Sequence, residues 1–242
     1  MQLILASSSQ ARKRILESLG LKFKVIPSQI DESKISLTNP KLLVQKIAKA
    51  KAESVVKRLK EIKRLKRLKE RKSQVAIACQ VSPSFASQPS LPSYHLVLAA
   101  DSMVVLDNQT FGKPKDKKEA KQILKQLSGR THDFITGLYI INTKTKKFWQ
   151  DVALSKVTLR RLRNKEINAY IAKTNVTRFA GGYTIIPSQE FKLKSIHQDQ
   201  SPAQFGAEQS DIIKKISGSL TNVMGLPLET LLPILRENGI KI

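Results

Sequence analysis

One cysteine, three histidines and one tryptophan in 242 residues leave little material for a disulfide or zinc framework. Cys79 has no partner for an internal bridge, and His95, His132 and His197 are too scattered to complete a metal set with it, which suits a reducing compartment. Aromatic residues make up 5% of the chain, few for a surface that stacks on bases. No run of about 18 apolar residues occurs, and the first residues lack the basic, apolar, small-residue order of a secretory signal. The expectation is a cytoplasmic protein with no membrane partner. Acidic residues are scarce too: 19 Asp and Glu stand against 43 Lys and Arg, a net charge of +24. Such a surface attracts nucleic acid, anionic membrane or phosphorylated small molecules. A lysine-biased composition filling ordinary exposed positions is the alternative, so charge narrows the partners without naming the chemistry. The length suits one large domain or two small ones.

What is present alternates between strands and helices. Leu3 to Ala6 reads as a short buried strand, followed by Ser7, Ser8 and Ser9 and an amphipathic segment from Ala11 to Leu19 that Gly20 closes. Hydroxyls and free N–H groups at a helix start, with Arg12 and Arg14 in the first turn, make either a phosphate cradle or a serine cap beside solvated arginines. Phe23 to Ile26 reads as a second strand. Asp31 and Glu32 then form either a solvated turn or an oxygen ligand set for a magnesium-type cation. Asn39 and Pro40 open a helix with Leu43, Ile47, Ala50 and Val55 on its buried face and Lys51 beside it. From Lys57 to Lys72 ten basic residues face only Glu61 and Glu70, net +8, with Leu59, Ile62, Leu65 and Leu68 at three-residue steps. This segment reads as an extension of the helix, either solvated or docked on nucleic acid or another acidic surface. Ser73 to His95 holds six serines and three prolines around Val75 to Ala78 and reads as an insertion or loop.

The central stretch is LVLAADSMVVLDNQTFGKP, from Leu96 to Pro114. A buried strand emerges at Asp101, a carboxylate that either caps a turn or holds a cation, and Lys113 follows a second apolar run from Met103 to Leu106. Ligands collect at the ends of such strands in an open α/β sheet, so acid and lysine are candidates to face one anionic substrate. Further on, Asp116 and Glu119 have capping-box spacing before Ala120, Ile123, Leu124 and Leu127, and Gly129 ends that helix. Phe134 to Ile141 and Phe148 to Leu159 read as strands, and Asn164 as the cap of a helix through Tyr170. After Gly181 and Gly182 a second polar stretch runs from Pro187 to Gln209. NVMGLP, Asn222 to Pro227, precedes a terminal helix closed by Gly239.

Six of these stretches, in order, resemble the motifs of the Maf family of nucleoside triphosphate pyrophosphatases. LILASSSQARKRILESLG resembles the family's opening strand, serine loop and arginine-bearing helix, IDES its acidic turn, and KAKAESV its lysine motif. LAADSMVVLDNQTFGKP, LSGRTHDFITG and NVMGLPL resemble its central, SGR-type and closing motifs. The resemblance implies a single α/β domain, 1–242, with a bent mixed sheet and flanking helices around a nucleotide-binding cleft, carrying insertions at about 57–94 and 187–209, and commonly a homodimer. It implies hydrolysis between the α and β phosphates with Mg²⁺ or Mn²⁺. Asp101 matches the family's catalytic acid and Glu32 the acid of its turn, both placed to hold the metal, while Ser7, Ser9, Arg12, Lys51 and Lys113 match phosphate-binding positions. Cations neutralise the chain and departing pyrophosphate, and carboxylates hold the ion or take a proton from water.

Positions that the family associates with base choice depart from its pattern. Gln10 and Ala11 stand where proline and then arginine or tryptophan are usual, Ser102 where threonine or glutamine is usual, and Ile186 where glutamine or glutamate is usual. Ser102 leans towards the branch acting on dTTP and UTP, whereas Ala11 and Ile186 fit neither that branch nor the one acting on 7-methyl-GTP. Tyr183 is kept. The rival expectation is a catalytically weak relative whose basic helix 57–72 makes non-specific contact with nucleic acid.

Overall fold

The structure, a computed structural model, describes residues 1–77, 94–185 and 211–242. Cys79, Ile186, His197 and the segment 187–209 lie outside these residues. Along the chain the elements are β1 (Gln2–Leu5), α1 (Gln10–Ser18), β2 (Phe23–Val25), α2 (Pro40–Ile77), β3 (His95–Leu106), β4 (Gln109–Phe111), α3 (Lys117–Leu127), β5 (Thr131–Asn142), β6 (Phe148–Leu159), α4 (Asn164–Lys173), β7 (Ile213–Ser217), α5 (Leu220–Val223) and α6 (Leu228–Glu237). The strands form one mixed sheet in the order β2-β1-β3-β5-β6-β7, with β4 paired to β3. This is the expected α/β class with helices on both faces.

Alternation along β1 explains how the two faces are covered. Leu3 and Leu5 pack with Ile15 and Leu16 of α1, in a core that also takes Leu124 of α3, Ile167 of α4 and Leu231 of α6. Ile4 and Ala6 point the other way and pack with Ala48, Ala52 and Val55 of α2. β1 runs parallel to both β2 and β3. The two crossovers that make this possible, α1 and α2, therefore lie on opposite faces, and the sheet has a switch point between β1 and β3.

β3 is longer than its partners on that side. Against β5 it pairs continuously from Leu96 to Val105. Its other edge pairs with β1 only through Leu98, where Ala6 N–H donates to the Leu98 carbonyl at 2.7 Å, and pairs again from Val104 with β4. The hairpin between β3 and β4 turns at Asp107 and Asn108, with φ of 50° and 65°, the left-handed pair of a type I′ turn. A gap is left beside Ala99 to Met103.

Three expectations are revised in detail. The buried stripe of α2 is Val44, Ile47, Ala48, Ala52, Val55 and Val56, with Leu43 and Ala50 only half-buried, and Lys51 lies on the stripe. The helix continues through Ile77, so the serine-containing loop does not begin at Ser73; no proline interrupts the chain between Pro40 and Pro83. Asn164 is the first helical residue of α4 and does not cap it: Arg163 holds the cap position, and the Glu166 carboxylate reaches back to accept from the Arg163 N–H at 2.8 Å. Asp116 does cap α3, accepting from Glu119 N–H at 2.7 Å.

α2 lies directly against β5 because Gly137 has no side chain. A Cβ there would stand 2.5 Å from the carbonyl carbon of Val44 and 2.7 Å from the backbone nitrogen of Gln45. Gly137 is also the cross-strand partner of Asp101. We expect Gly137→Ala to push α2 off the sheet and to cost at least about 1–3 kcal/mol, read as a lower urea midpoint; an unchanged midpoint would mean that the helix does not rest on this residue.

On the α1 side, His132 is buried and its Nε2 lies 2.7 Å from the Tyr183 hydroxyl, with the rings edge to face. Nδ1 has no partner among the described residues. Burial lowers the His132 pKa to about 4, with Asp133 pulling the other way. The unfolded chain, with histidine near 6.5, thus binds the proton that the folded chain refuses. Stability is fully present above pH 6.5 and is lost as pH falls towards 4, by up to about 3 kcal/mol in total. Urea titrations between pH 7 and 4 are expected to show this slope in the natural chain and its removal in His132→Phe.

Candidate active site at the split in the sheet

Five segments distant in sequence meet at the gap beside β3. The Ser7–Ser9 loop leaves the end of β1, and Ser9 caps α1 through its side chain. Glu32 begins a short 3-10 turn that Asp31 caps by accepting from Ser33 N–H at 3.2 Å. Lys51 rises from α2, Asp101 and Ser102 lie in β3, and Gly225 follows α5.

Adjacent residues of a strand point to opposite faces, and here both faces are used. Asp101 shares the α2 face with Val97 and Ala99. Lys51 Nζ donates to Asp101 Oδ1 at 2.6 Å and pairs with Glu32 Oε1 at 2.9 Å. Lys51 and Asp101 are buried, whereas the Glu32 side chain is 48% exposed, so this ion triad has one open side. Removing one member of a buried pair costs about 3–5 kcal/mol, because the other charge is left unpaired.

Ser102 faces α1 and meets Arg12, which is buried. Arg12 Nε donates to the Gly225 carbonyl at 2.7 Å, Nη1 to Ser7 Oγ at 3.1 Å and Nη2 to Ser102 Oγ at 3.0 Å. All three acceptors are uncharged. Burial lowers the Arg12 pKa, and the fields of Asp101 and then Glu32 raise it. Behind Ser102, Thr136 Oγ1 lies at 2.9 Å and donates onward to the Asn222 carbonyl at 3.2 Å. That fixes the direction of the chain: Ser102 accepts from Arg12 and donates to Thr136. Asn222 is itself held, its Nδ2 donating to the Phe134 carbonyl and to Ser155 Oγ.

The residues expected from sequence are distributed as follows. Ser7, Arg12, Lys51, Asp101 and Glu32 converge on the gap, with Ser9 at the helix start. Lys113 is exposed at the rim, between Gly112 and Pro114. Desolvation by its surroundings lowers its pKa, Arg12 and Lys51 lower it further, and Glu32 and Asp101 oppose them. One electrostatic environment therefore joins all five charges. Arg14 is exposed on α1, and Ala11 is half-exposed beside Arg12. Ser102 belongs to the Arg12 network. Thr136, Asn222 and Gly225 were not singled out as site residues from the sequence. The signals that held them were LSGRTHDFITG, which contains Thr136, and NVMGLP, whose Gly225 takes a φ of +93° as its carbonyl accepts from Arg12.

Thr136→Val keeps the shape of the side chain and removes the link between Ser102 and Asn222. The buried groups left unpaired predict a loss of about 1–3 kcal/mol in thermal or urea denaturation, with Thr136→Ser restoring most of it. Equal stability of all three proteins would show that the relay does not hold Arg12.

Comparison with known proteins identifies the family of the chain. Residues 2–203 match the Maf family, described as Maf-like protein. The chain is 33% identical over 237 residues to the dTTP/UTP pyrophosphatase of Aquifex aeolicus (strain VF5), covering 98% of this chain and 95% of that protein. It is 32% identical over 248 residues to the dTTP/UTP pyrophosphatase of Treponema denticola, covering 100% and 98%, and 30% identical over 237 residues to that of Clostridioides difficile (strain 630). With the family match spanning most of its length and relatives of this similarity aligned nearly end to end, the chain belongs to the Maf family.

Proposed function

We propose that this protein hydrolyses a nucleoside triphosphate, dTTP or UTP in first place, to the monophosphate and pyrophosphate. The observation that carries the reading is a buried Arg12 held only by neutral oxygens, beside a lysine shared by two carboxylates, at the switch point of an α/β sheet. A buried guanidinium without a carboxylate hydrogen-bonded to it favours an incoming anion. The substrate class comes from relatives that carry that activity in their names and align over nearly the whole chain. The same relatives favour an enzyme over a catalytically weak, purely nucleic-acid-binding protein. Homodimerisation and a cytoplasmic location belong to the same reading; among the described residues no helix is long and apolar enough to cross a membrane.

The donor set is compatible with a hard divalent cation. No group of three or more His, Cys, Asp or Glu side chains is arranged for a metal among the described residues. Glu32 and Asp101, however, both bring an oxygen to one point, now taken by Lys51. Mg²⁺ commonly binds one or two carboxylates and fills its remaining positions with substrate phosphates and water. Bound there, the ion would supply charge neutralisation and a more acidic water.

The reaction forms a bond from water oxygen to the α-phosphorus and breaks the bond from that phosphorus to the bridging oxygen, whose electron pair leaves with pyrophosphate. Oδ1 of Asp101 is turned to the point that Lys51 shares with Glu32, which leaves Oδ2 to receive the water's proton. Arg12 and Lys113 lie where charge accumulates on the phosphates, and Ser7, accepting from Arg12 and from Ser9 N–H, has its hydroxyl hydrogen to direct at a phosphate oxygen.

A panel of ribo- and deoxyribonucleoside triphosphates with Mg²⁺ or Mn²⁺, assayed for pyrophosphate release, tests both activity and base choice. Turnover is expected with dTTP and UTP and is expected to stop on chelation. Asp101→Asn should lower kcat by about 10²–10⁴, the range of a lost general base. Release of orthophosphate in place of pyrophosphate, or full activity in Asp101→Asn, would overturn the reading.

A further inference from the structure

The distal part of α2 takes no part in the crevice. Residues 60–68 are all exposed, so no tertiary packing explains why they form a helix. Between Lys57 and Leu68 lie seven cations, Lys57, Arg58, Lys60, Lys63, Arg64, Lys66 and Arg67, against Glu61 alone. All seven are exposed, and none pairs with a carboxylate among the described residues. Helical spacing sets Lys60 against Lys63 and Arg64, and Lys63 against Lys66 and Arg67, pairs that each weaken a helix by about 0.2–0.5 kcal/mol. The arm is loaded against its own conformation, and a polyanion would relieve it.

The distribution of charge selects among polyanions. At about 100° per residue, no arc of the helix wider than about 100° is free of a cation, and the widest contains Glu61. Ile62, Leu65 and Leu68 are 39%, 59% and 45% exposed. Together with Leu59 they wind round about half of the helix, and Glu61, Arg58 and Lys66 fall among them, so they do not form a clean face. A flat bilayer surface needs an unbroken apolar face. A second copy of the arm would bring like charges together. Five of the seven cations, Lys57, Lys60, Lys63, Arg64 and Arg67, share an arc of about 120°, with Arg58 and Lys66 on the remaining surface. The rows of phosphates that line a nucleic-acid groove match such a basic face with outliers beside it.

We propose that residues 57–68 of α2 form a sequence-independent binding arm for the phosphodiester backbone of nucleic acid, alongside the hydrolytic site. Lys51, the residue of α2 that meets Asp101 in the crevice, lies before the arm, whose residues stand about 9 to 26 Å further along the helix at 1.5 Å per residue. A bound nucleic acid therefore leaves the crevice free, and the arm stands whether or not the proposed hydrolysis does.

Fluorescence anisotropy of the full-length protein with an arbitrary 20-base-pair DNA duplex and a mixed 20-nucleotide RNA strand tests this. With about four to six phosphates engaged, affinity should fall on the order of 10²–10³-fold between 50 and 200 mM salt. The variant Lys60→Gln, Lys63→Gln, Arg64→Gln, Arg67→Gln should lower the slope of log affinity against log salt by about three to four, since each phosphate contact contributes roughly one. Its pyrophosphate release should be unchanged. Lys60→Arg, Lys63→Arg keeps the charge and should bind like the natural chain. A weak salt dependence in the natural chain, an unaltered slope in the glutamine variant, or binding to phosphatidylserine vesicles with no binding to either nucleic acid would overturn the proposal. Preference between DNA and RNA identifies which backbone the arm follows.

Discussion

A guanidinium sealed among neutral oxygens is the constraint around which this structure is arranged. Arg12 reaches Ser7 in the loop after β1, Ser102 in the middle of β3 and the Gly225 carbonyl near the carboxyl end of the chain. Those bonds fasten the first strand and helix, the central strand and the closing segment to one side chain. They engage three of its five N–H donors without cancelling its charge. Asp101 and Glu32 act on it through space and do not bond to it, so the fold keeps a cation at the crevice in a state that an anion would stabilise.

The second determinant is the point at which β3 loses a neighbour. While β1 lies alongside, β3 carries apolar residues on both faces, Leu96 and Leu98 towards α1, Val97 and Ala99 towards α2. Just past the last β1 pairing the same alternation delivers Asp101 to one face and Ser102 to the other. One pleat thus turns core into site. The carboxylate meets Lys51 and Glu32, the hydroxyl meets Arg12, and an extended ligand lying across the split can touch both groups. Gly137 supports this from the next strand, since α2 can bring Lys51 down to Asp101 only where the facing residue has no Cβ.

Much of this was legible in the sequence where local signals agreed with tertiary packing. Leu3 to Ala6 followed by serines, a cap and an amphipathic run describes β1 and α1 to within a residue, because alternation, capping and helical periodicity all point the same way. The charged members of the site were visible as polar residues out of place: an acid expected at the end of a buried strand, which β3 in fact carries on past to Leu106, two acids in a basic chain, and a lysine expected beside a helical stripe that lies on it. Which of them meet was not visible in their spacing, because Glu32, Lys51 and Asp101 converge only through the crossovers around β1. Here the resemblance of ordered motifs supplied what periodicity could not. Thr136 and Asn222 were missed for a different reason. A threonine in a strand and an asparagine near a turn are ordinary there, and their role arises from a contact between Thr136 and the Asn222 carbonyl across 86 residues.

Charge has to be read at two scales in this protein. At the crevice, Arg12, Lys51 and Lys113 face Glu32 and Asp101, a surplus of one cation, too small to neutralise a triphosphate. The two carboxylates therefore work against substrate binding unless their charge is masked. Lys51 masks it in the structure, by accepting contact with both. For Lys51 to turn towards phosphate, the carboxylates need another counter-charge, and that is the physical case for the proposed divalent ion: it would release the lysine as well as bring positive charge of its own. The net charge of +24 does nothing comparable, because most of it is solvated and screened over about 10 Å at 0.1 M salt. It is most concentrated along the distal turns of α2, which begin about 9 Å further along the helix than Lys51. The local balance governs the chemistry and the distant excess governs what the surface attracts, and these can vary independently in one chain.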